Sequence, residues 1–157
     1  MFSLQDVVSI AIQVERNGER TYRRAAAQAS NRELASVLNR LADDEARHAQ
    51  WFSDLARRYG SVPIDQRLAD MGSALLRGII GDESFSLGDV DLAAADSVQE
   101  VLEAATELEH DTVIFYEMIG SFVTDRATVA HLQRIIEEER NHGQLLLALG
   151  DRPRTST

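Results

Sequence analysis

Two Glu-x-x-His pairs are the most chemically suggestive feature of the sequence. They are Glu45 with His48, and Glu139 with His142. Residues three apart share one face of an α-helix, so a carboxylate and an imidazole at this spacing can bind the same metal ion. One such pair arises easily by chance. The two pairs therefore need support from their spacing relative to the rest of the chain.

An internal repeat provides that support. A shift of 94 residues maps each landmark of one half onto an identical residue type in the other. The landmarks are Glu15, Tyr22, Glu45 and His48 in the first half, and Glu109, Tyr116, Glu139 and His142 in the second. In each half a tyrosine follows the first glutamate by two helical turns and shares its face. A third Glu-x-x-His pair, Glu107 with His110, maps onto Gln13 and Arg16 and falls outside the repeat.

The candidate ligands interrupt helical stripes that otherwise face a core. Glu45 and His48, for example, share a stripe with Leu41 and Phe52. Buried carboxylates without partners cost roughly several kcal/mol each, and four of them in one core would repel one another. Two divalent cations would balance four glutamates, as in di-metal carboxylate bundles. The predicted metal ligands are Glu15, Glu45, His48, Glu109, Glu139 and His142.

Two further symmetric pairs of residues have open roles. Tyr22 and Tyr116 are either core residues with a satisfied hydroxyl or donors to a ligating carboxylate, and a radical trap is a variant of the second role. We predict both tyrosines as catalytic residues that lie next to the metal ligands. Asp44 and Glu138 each precede a Glu-x-x-His glutamate. They could orient the Nδ1 atom of a histidine on a neighbouring helix, but a solvated or interface charge is the preferred interpretation.

Helical periodicity extends through nearly the whole chain. The two prolines, Pro63 and Pro153, fall outside the periodic segments. Cap residues and breakers bound four long helices, with Asn31 and Asp125 among the predicted caps. The predicted helices cover about 3–29, 31–59, 89 or 91 to 121, and 125–150.

The segment 61–88 connects the second and third helices and could hold a short amphipathic helix on Leu68, Met71, Leu75 and Ile79. A connection of this length lets those two helices run parallel, whereas antiparallel neighbours need only a short loop. The predicted fold is all-α, a ferritin-like four-helix bundle of two antiparallel hairpins joined by a long crossover. One domain would cover 1–150, with repeat halves at about 3–59 and 91–149 and a flexible tail at 151–157.

Composition excludes several classes of function. The formal net charge is −10, which argues against a nucleic-acid partner. The chain has no cysteine, which excludes disulfides, thiolate zinc sites, iron–sulfur clusters and an iron site held by four thiolates. The apolar run 7–12 is too short to span a bilayer, and its flank does not resemble a signal peptide. We expect a cytoplasmic protein that does not associate with membranes.

The combined Glu-x6-Tyr and Glu-x-x-His motifs resemble the di-iron domain of rubrerythrins, within the ferritin-like superfamily, over about residues 3–149. The resemblance implies two iron ions bridged by Glu45 and Glu139, with Glu15 and Glu109 as terminal ligands and one histidine per ion. Manganese or zinc could use the same ligands. The resemblance also implies a homodimer and the oxidation of Fe(II) by hydrogen peroxide or dioxygen.

Two departures from the rubrerythrin pattern bear on the reaction. Without cysteine the chain has no rubredoxin domain, so electrons would come from an external donor. Thr112 stands where rubrerythrins carry an extra glutamate one turn after the third-helix ligand. In these respects the chain resembles the erythrins that lack a rubredoxin domain. We predict a di-iron carboxylate oxidoreductase, and the alternatives are an iron-binding module without turnover and a structural dimerisation bundle with a residual metal site.

Overall fold

Four long helices make up the part of the chain that the computed structural model describes, residues 4–29, 31–59, 95–121 and 123–150. They are α1 (Leu4–Gln28), α2 (Arg32–Tyr59), α3 (Ala95–Gly120) and α4 (Arg126–Gly150). These described ranges contain no β-strand. The predicted short helix within 61–88, the predicted start of the third helix at 89 or 91, and the tail 151–157 lie outside the described residues.

Two predicted helix caps are confirmed. The Asn31 side-chain oxygen accepts hydrogen bonds from the backbone amides of Glu33 at 2.8 Å and Leu34 at 3.4 Å. The Asp125 carboxylate accepts the backbone amide of Thr128 at 2.9 Å and its hydroxyl at 2.6 Å. Each cap satisfies amides at a helix start that have no partner within the helix. These side chains fix where α2 and α4 begin, and so the register of the Glu-x-x-His pairs.

Contacts between side chains establish the directions of the helices. α1 packs along α2, α3 packs along α4, and α1 also contacts α3. Arg23 on α1 binds Asp43 on α2, and Arg140 on α4 binds Glu117 on α3, so each hairpin is antiparallel. Tyr22 and Tyr116 bind glutamates on α3 and α1 respectively, which makes α1 and α3 antiparallel. α2 and α3 therefore run parallel, as the long connection predicts.

Two apolar layers fill the bundle, and the predicted ligands lie between them on every helix. The first layer includes Val14, Phe52 and Phe115, and the second includes Leu41 and Leu102. The repeat relates one layer to the other, because two residues that are related by the shift of 94 lie in different layers. Examples of such pairs are Tyr22 with Tyr116, Leu38 with Leu132, and Leu146 with Phe52. Each buried large apolar side chain contributes roughly 1.5–3 kcal/mol, so the layers hold the polar residues between them in place.

The described helices lack an uninterrupted apolar stretch long enough to cross a membrane.

Candidate metal centre

The six predicted ligands form one buried cluster at the centre of the bundle. Within the described ranges, these six are all of the buried acidic and histidine side chains. Glu15 and Glu139 are 0% exposed. α1 and α3 each supply one glutamate, whereas α2 and α4 each supply a Glu-x-x-His pair. The exposed Glu107 and His110 are not part of the cluster.

The ligand atoms fall into two overlapping groups of four, and within each group the atoms lie within 4.8 Å of one another. The His48 group consists of Glu15, Glu45, His48 and Glu139, and the His142 group consists of Glu45, Glu109, Glu139 and His142. The ring centroids of the two histidines are 6.1 Å apart. Glu45 and Glu139 belong to both groups, so the arrangement describes two adjacent metal positions with two shared carboxylates.

The orientation of Glu139 suits a shared carboxylate. Its Oε1 atom lies 2.7 Å from His48 Nδ1, and its Oε2 atom lies 3.3 Å from His142 Nδ1. One oxygen therefore faces each histidine. The Oε1 atom of Glu45 lies 3.2 Å from the same His142 Nδ1 atom. Both histidines present Nδ1 to the centre of the cluster.

Both tyrosines donate hydrogen bonds to glutamates of the cluster. The Tyr22 hydroxyl donates to Glu109, and the Tyr116 hydroxyl donates to Glu15. Both phenols are fully buried in the apolar layers. The two roles left open by the sequence are therefore combined in one side chain, which packs in the core and holds a carboxylate of the opposite half of the repeat.

The preferred interpretation of Asp44 and Glu138 as solvated charges is wrong. The Glu138 carboxylate lies 2.6 Å from His48 Nε2, and that of Asp44 lies 3.0 Å from His142 Nε2. Because α2 and α4 lie antiparallel side by side, the residue before each glutamate meets the imidazole of the other helix. The weaker alternative, orientation of a neighbouring histidine, is the correct one, but the oriented atom is Nε2 and not Nδ1.

Arg47, which no sequence motif singled out, links the two outer carboxylates. Its guanidinium lies 2.5 Å from Asp44 and 3.3 Å from Glu138. The spacing of three residues from Asp44 was the available signal, since i and i+3 residues meet on a helix surface. Its repeat counterpart is Asn141, so this link has no symmetric partner. Thr112, by contrast, donates its hydroxyl to the carbonyl of Leu108 at 2.8 Å and is not in either ligand group.

Burial and mutual repulsion control the protonation of the cluster. Burial, followed by the charge of Glu139, raises the pKa of Glu15, Glu45 and Glu109 well above the usual carboxyl range. Burial also acts to raise the pKa of Glu139, but its interactions with Glu109 and the two histidines outweigh this and lower it. Without metal, Glu139 is therefore the principal carboxylate anion of the centre.

The two histidines have raised affinities for protons. Burial acts to lower their pKa, but the contacts with Glu139 outweigh it, and the pKa rises to about 9 for His48 and about 10 for His142. The outer carboxylates Glu138 and Asp44 contribute to this electrostatic environment, and contact with the histidines lowers the pKa of each, although partial burial opposes the shift. The raised pKa of both histidines favours their protonated form at neutral pH when no metal is bound.

The buried side-chain atoms that lack a hydrogen-bond partner show that the cluster fits metal ions. Among the described residues, the buried side-chain atoms without a hydrogen-bond partner are Glu15 Oε2, Glu45 Oε1, Glu139 Oε2 and His142 Nδ1. All four belong to the ligand groups. Leaving such an atom unpaired costs about 1–3 kcal/mol, which bound cations would recover. Oxygen donors with one imidazole per ion suit iron, manganese and zinc.

A bundle of two antiparallel hairpins around a shared glutamate and histidine cluster defines the ferritin-like carboxylate proteins as a class. Within that class, the Rubrerythrin family model matches residues 6–150, and the chain belongs to the rubrerythrin family.

The fold is similar to a solved structure from Thermotoga maritima, a protein provisionally described as a ferritin-like diiron-carboxylate protein. The TM-score is 0.68 with 24% sequence identity, over 99% of this chain and 97% of the other. At this identity the similarity supports the fold alone. A comparison with curated proteins gave no match.

Proposed function

We propose that this protein binds two iron ions and oxidises Fe(II) with hydrogen peroxide or dioxygen. The observation that carries the proposal is the pair of overlapping ligand groups that share Glu45 and Glu139. A shared carboxylate is needed only where two ions lie side by side. The membership of the rubrerythrin family and the four unpaired buried atoms support the same assignment.

Each residue of the cluster would have a distinct role. Glu45 and Glu139 would bridge the ions, Glu15 and Glu109 would bind one ion each, and His48 and His142 would each bind one ion through Nδ1. Two iron ions held in this way would supply two electrons, which together with two protons reduce one hydrogen peroxide to two waters.

The surrounding residues would prepare this centre. The Tyr22 and Tyr116 hydroxyls hold the two terminal carboxylates in position. With metal bound, Asp44 and Glu138 would accept the Nε2 hydrogen of each imidazole, which would leave the Nδ1 lone pair directed at the metal position. Because the apolar layers exclude water on both sides, the protons displaced by iron would leave past these half-exposed outer carboxylates.

Metal loading and rapid mixing test this function. Reconstituted protein should contain two iron ions per chain, and mixing with Fe(II) and oxidant should produce ferric absorbance. Glu45→Ala and His142→Ala should abolish that signal. His110→Ala is the matched control, since His110 has the same Glu-x-x-His spacing but is exposed and outside the cluster. If both cluster variants oxidise Fe(II) at the normal rate, the proposal is wrong.

An iron-binding module without turnover is the second candidate function. It is favoured by the lack of cysteine, which leaves this chain without thiolate redox chemistry of its own. A burst of one oxidation event that does not recycle when reductant is added would select this candidate. Repeated turnover with a small-molecule reductant would exclude it. The homodimer, the external electron donor and the cytoplasmic location stay predictions.

A further inference from the structure

Gly18 lies in the middle of α1, where a glycine needs an explanation. It is buried, three residues after Glu15, in a regular part of the helix. Glycine is less favourable than alanine inside a helix, and helical backbone conformation does not require it. The reason for glycine must therefore come from the surroundings of the position.

Those surroundings are the carboxylate of Glu45. A Cβ atom at position 18 would lie 3.0 Å from Glu45 Oε2, 3.3 Å from its Cδ and 3.4 Å from its Cγ. The first of these contacts is tighter than most that a real Cβ atom makes, so the carboxylate would have to move by a few tenths of an ångström. The Glu45 carboxylate consequently packs directly against the backbone of α1, in space that any other residue at position 18 would fill.

The need for a missing side chain is not shared by Gly143, the other described glycine beside a ligand. It is not shared by Thr112 either, the repeat counterpart of Gly18. A Cβ at Gly143 would lie 3.7 Å from Glu109 Cβ, which is an ordinary contact, and the repeat counterpart of Gly143 is Ala49. The counterpart of Gly18 is Thr112, a buried residue with a full side chain. Among the described residues, Glu45 is therefore the one ligand that needs an absent side chain beside it, at Gly18 on α1.

We propose that Gly18 is a positioning residue that allows Glu45 to reach both metal positions. With Oε2 against α1, the helix that carries Glu15, the other oxygen Oε1 is free to lie 3.2 Å from His142 Nδ1. A methyl group at position 18 would displace Oε2 from α1, the helix that carries Glu15 of the His48 group. This inference rests on the proposed two-metal function, because it concerns how one of the shared ligands is held.

Gly18→Ala should affect metal binding without affecting folding. The atoms nearest to the new methyl group belong to the flexible end of the Glu45 side chain, so the metal-free protein can accept alanine by rotating that carboxylate. The rotated carboxylate no longer spans the two positions. Gly18→Ala should leave the metal-free fold intact, with an unchanged or raised melting temperature, and should weaken the second metal to bind by tenfold or more.

Anaerobic titration with Co(II) tests this directly, because Co(II) visible absorption reports the number and geometry of its ligands. Wild type and the matched control Gly143→Ala should bind two Co(II) per chain with the same spectrum. Gly18→Ala should bind the first Co(II) well and the second at least tenfold more weakly than wild type binds its second ion, with an altered spectrum. Wild-type affinity for both ions in Gly18→Ala would overturn the inference, as would loss of the metal-free fold.

A double variant distinguishes positioning of Glu45 from any other effect of the methyl group. Glu45→Asp shortens the side chain by one methylene group, so that no carboxylate oxygen remains at the position of Oε2, the closest contact of the new methyl group. Adding Gly18→Ala to Glu45→Asp should therefore cause less than a twofold further loss of Co(II) affinity, and a full additional tenfold loss would contradict the inference. If wild type itself fails to bind two Co(II), the proposed function fails and not the role of Gly18 alone.

Discussion

The imidazole rings are held from two sides, and this determines which nitrogen can bind a metal. Nδ1 of His48 and His142 faces the cluster, while Nε2 faces the carboxylate of Glu138 or Asp44 on the other helix. A carboxylate partner fixes the tautomer and makes the imidazole a better ligand. The outer carboxylates are therefore as much a part of the candidate centre as the six predicted ligands.

Neutralising an outer carboxylate should weaken metal binding without removing a ligand. Glu138→Gln keeps an acceptor beside His48 Nε2 but loses its charge, so we expect a loss of roughly 10–100-fold in metal affinity. Glu137→Gln is the matched control, because Glu137 precedes it on α4 and is mostly exposed. Competition titration with a chromophoric chelator measures both. Equal affinities for the two variants would show that Glu138 has no role in the site.

The metal-free protein should become less stable as the pH rises from about 6.5 to 10. A histidine whose folded pKa lies above its unfolded value stabilises the fold fully below the unfolded pKa, and that stabilisation is lost as the pH rises through the folded value. His48 and His142 shift from 6.5 to about 9 and about 10. The raised pKa of Glu15, Glu45 and Glu109 acts in the same direction.

Urea unfolding of metal-free protein at several pH values measures this loss. The lowered pKa of Glu139 contributes stability that is present at neutral pH and is lost only in acid, so it does not alter the trend in this window. Metal-loaded protein is the control, since bound ions replace the protons and should remove most of the dependence. Stability of the metal-free form that increases with pH over this range would contradict the assignment of protons to the cluster.

At the scale of the helices, the antiparallel crossing of α1 and α3 produces the exchanged tyrosine contacts. Each helix supplies one glutamate to the cluster and one tyrosine that holds the glutamate of the other helix. Tyr22→Phe should therefore destabilise the protein by about 1–3 kcal/mol, because it leaves a buried carboxyl group without its donor. Tyr116→Phe should have a similar effect. Denaturant unfolding gives both values, and an unchanged midpoint in either variant would show that its hydrogen bond is not needed.

Sequence periodicity was sufficient to predict burial and helix starts, which depend on a single helix. It was insufficient to predict contacts between side chains of two neighbouring helices. The apolar stripes correctly placed Glu45 and Glu139 inside the bundle, and the caps at Asn31 and Asp125 gave the correct helix starts. Asp44 lies about 100° around the helix from Glu45, at the edge of the buried stripe. Whether such a residue meets solvent or a neighbour depends on the rotation of adjacent helices, which the pattern of one helix does not contain.

The role of Gly18 was hidden for a related reason. A glycine in a helical pattern indicates only a cost in helix stability. The close approach of Glu45 Oε2 to α1 depends on the distance between two helix axes and on one side-chain rotamer. The same limit explains why Arg47 was missed, since one of its two partners is on α4.

At the scale of the whole molecule, the repeat gives the two candidate metal positions the same kinds of donor but unequal surroundings. Arg47 has Asn141 as its counterpart, and Gly18 has Thr112. The difference between Arg47 and Asn141 changes the charge outside the cluster. The difference between Gly18 and Thr112 changes the space beside Glu45, a shared ligand. The two ions are therefore expected to bind in sequence with different affinities, which a stepwise titration resolves into two phases. A single phase with two identical sites would show that the duplicated donors outweigh these differences.

Because ligands come from all four helices, metal binding should stabilise the bundle as one unit. Ions present at 100 times their dissociation constant stabilise the folded state by about 2.7 kcal/mol per site. Hydrogen exchange of loaded and metal-free protein should then show slower exchange in the central turns of α1, α2, α3 and α4 together. His142→Ala, which removes a ligand of one group, should lose part of this protection in both hairpins, because Glu45 and Glu139 are shared. Protection confined to one hairpin would mean that the two halves of the repeat bind metal independently.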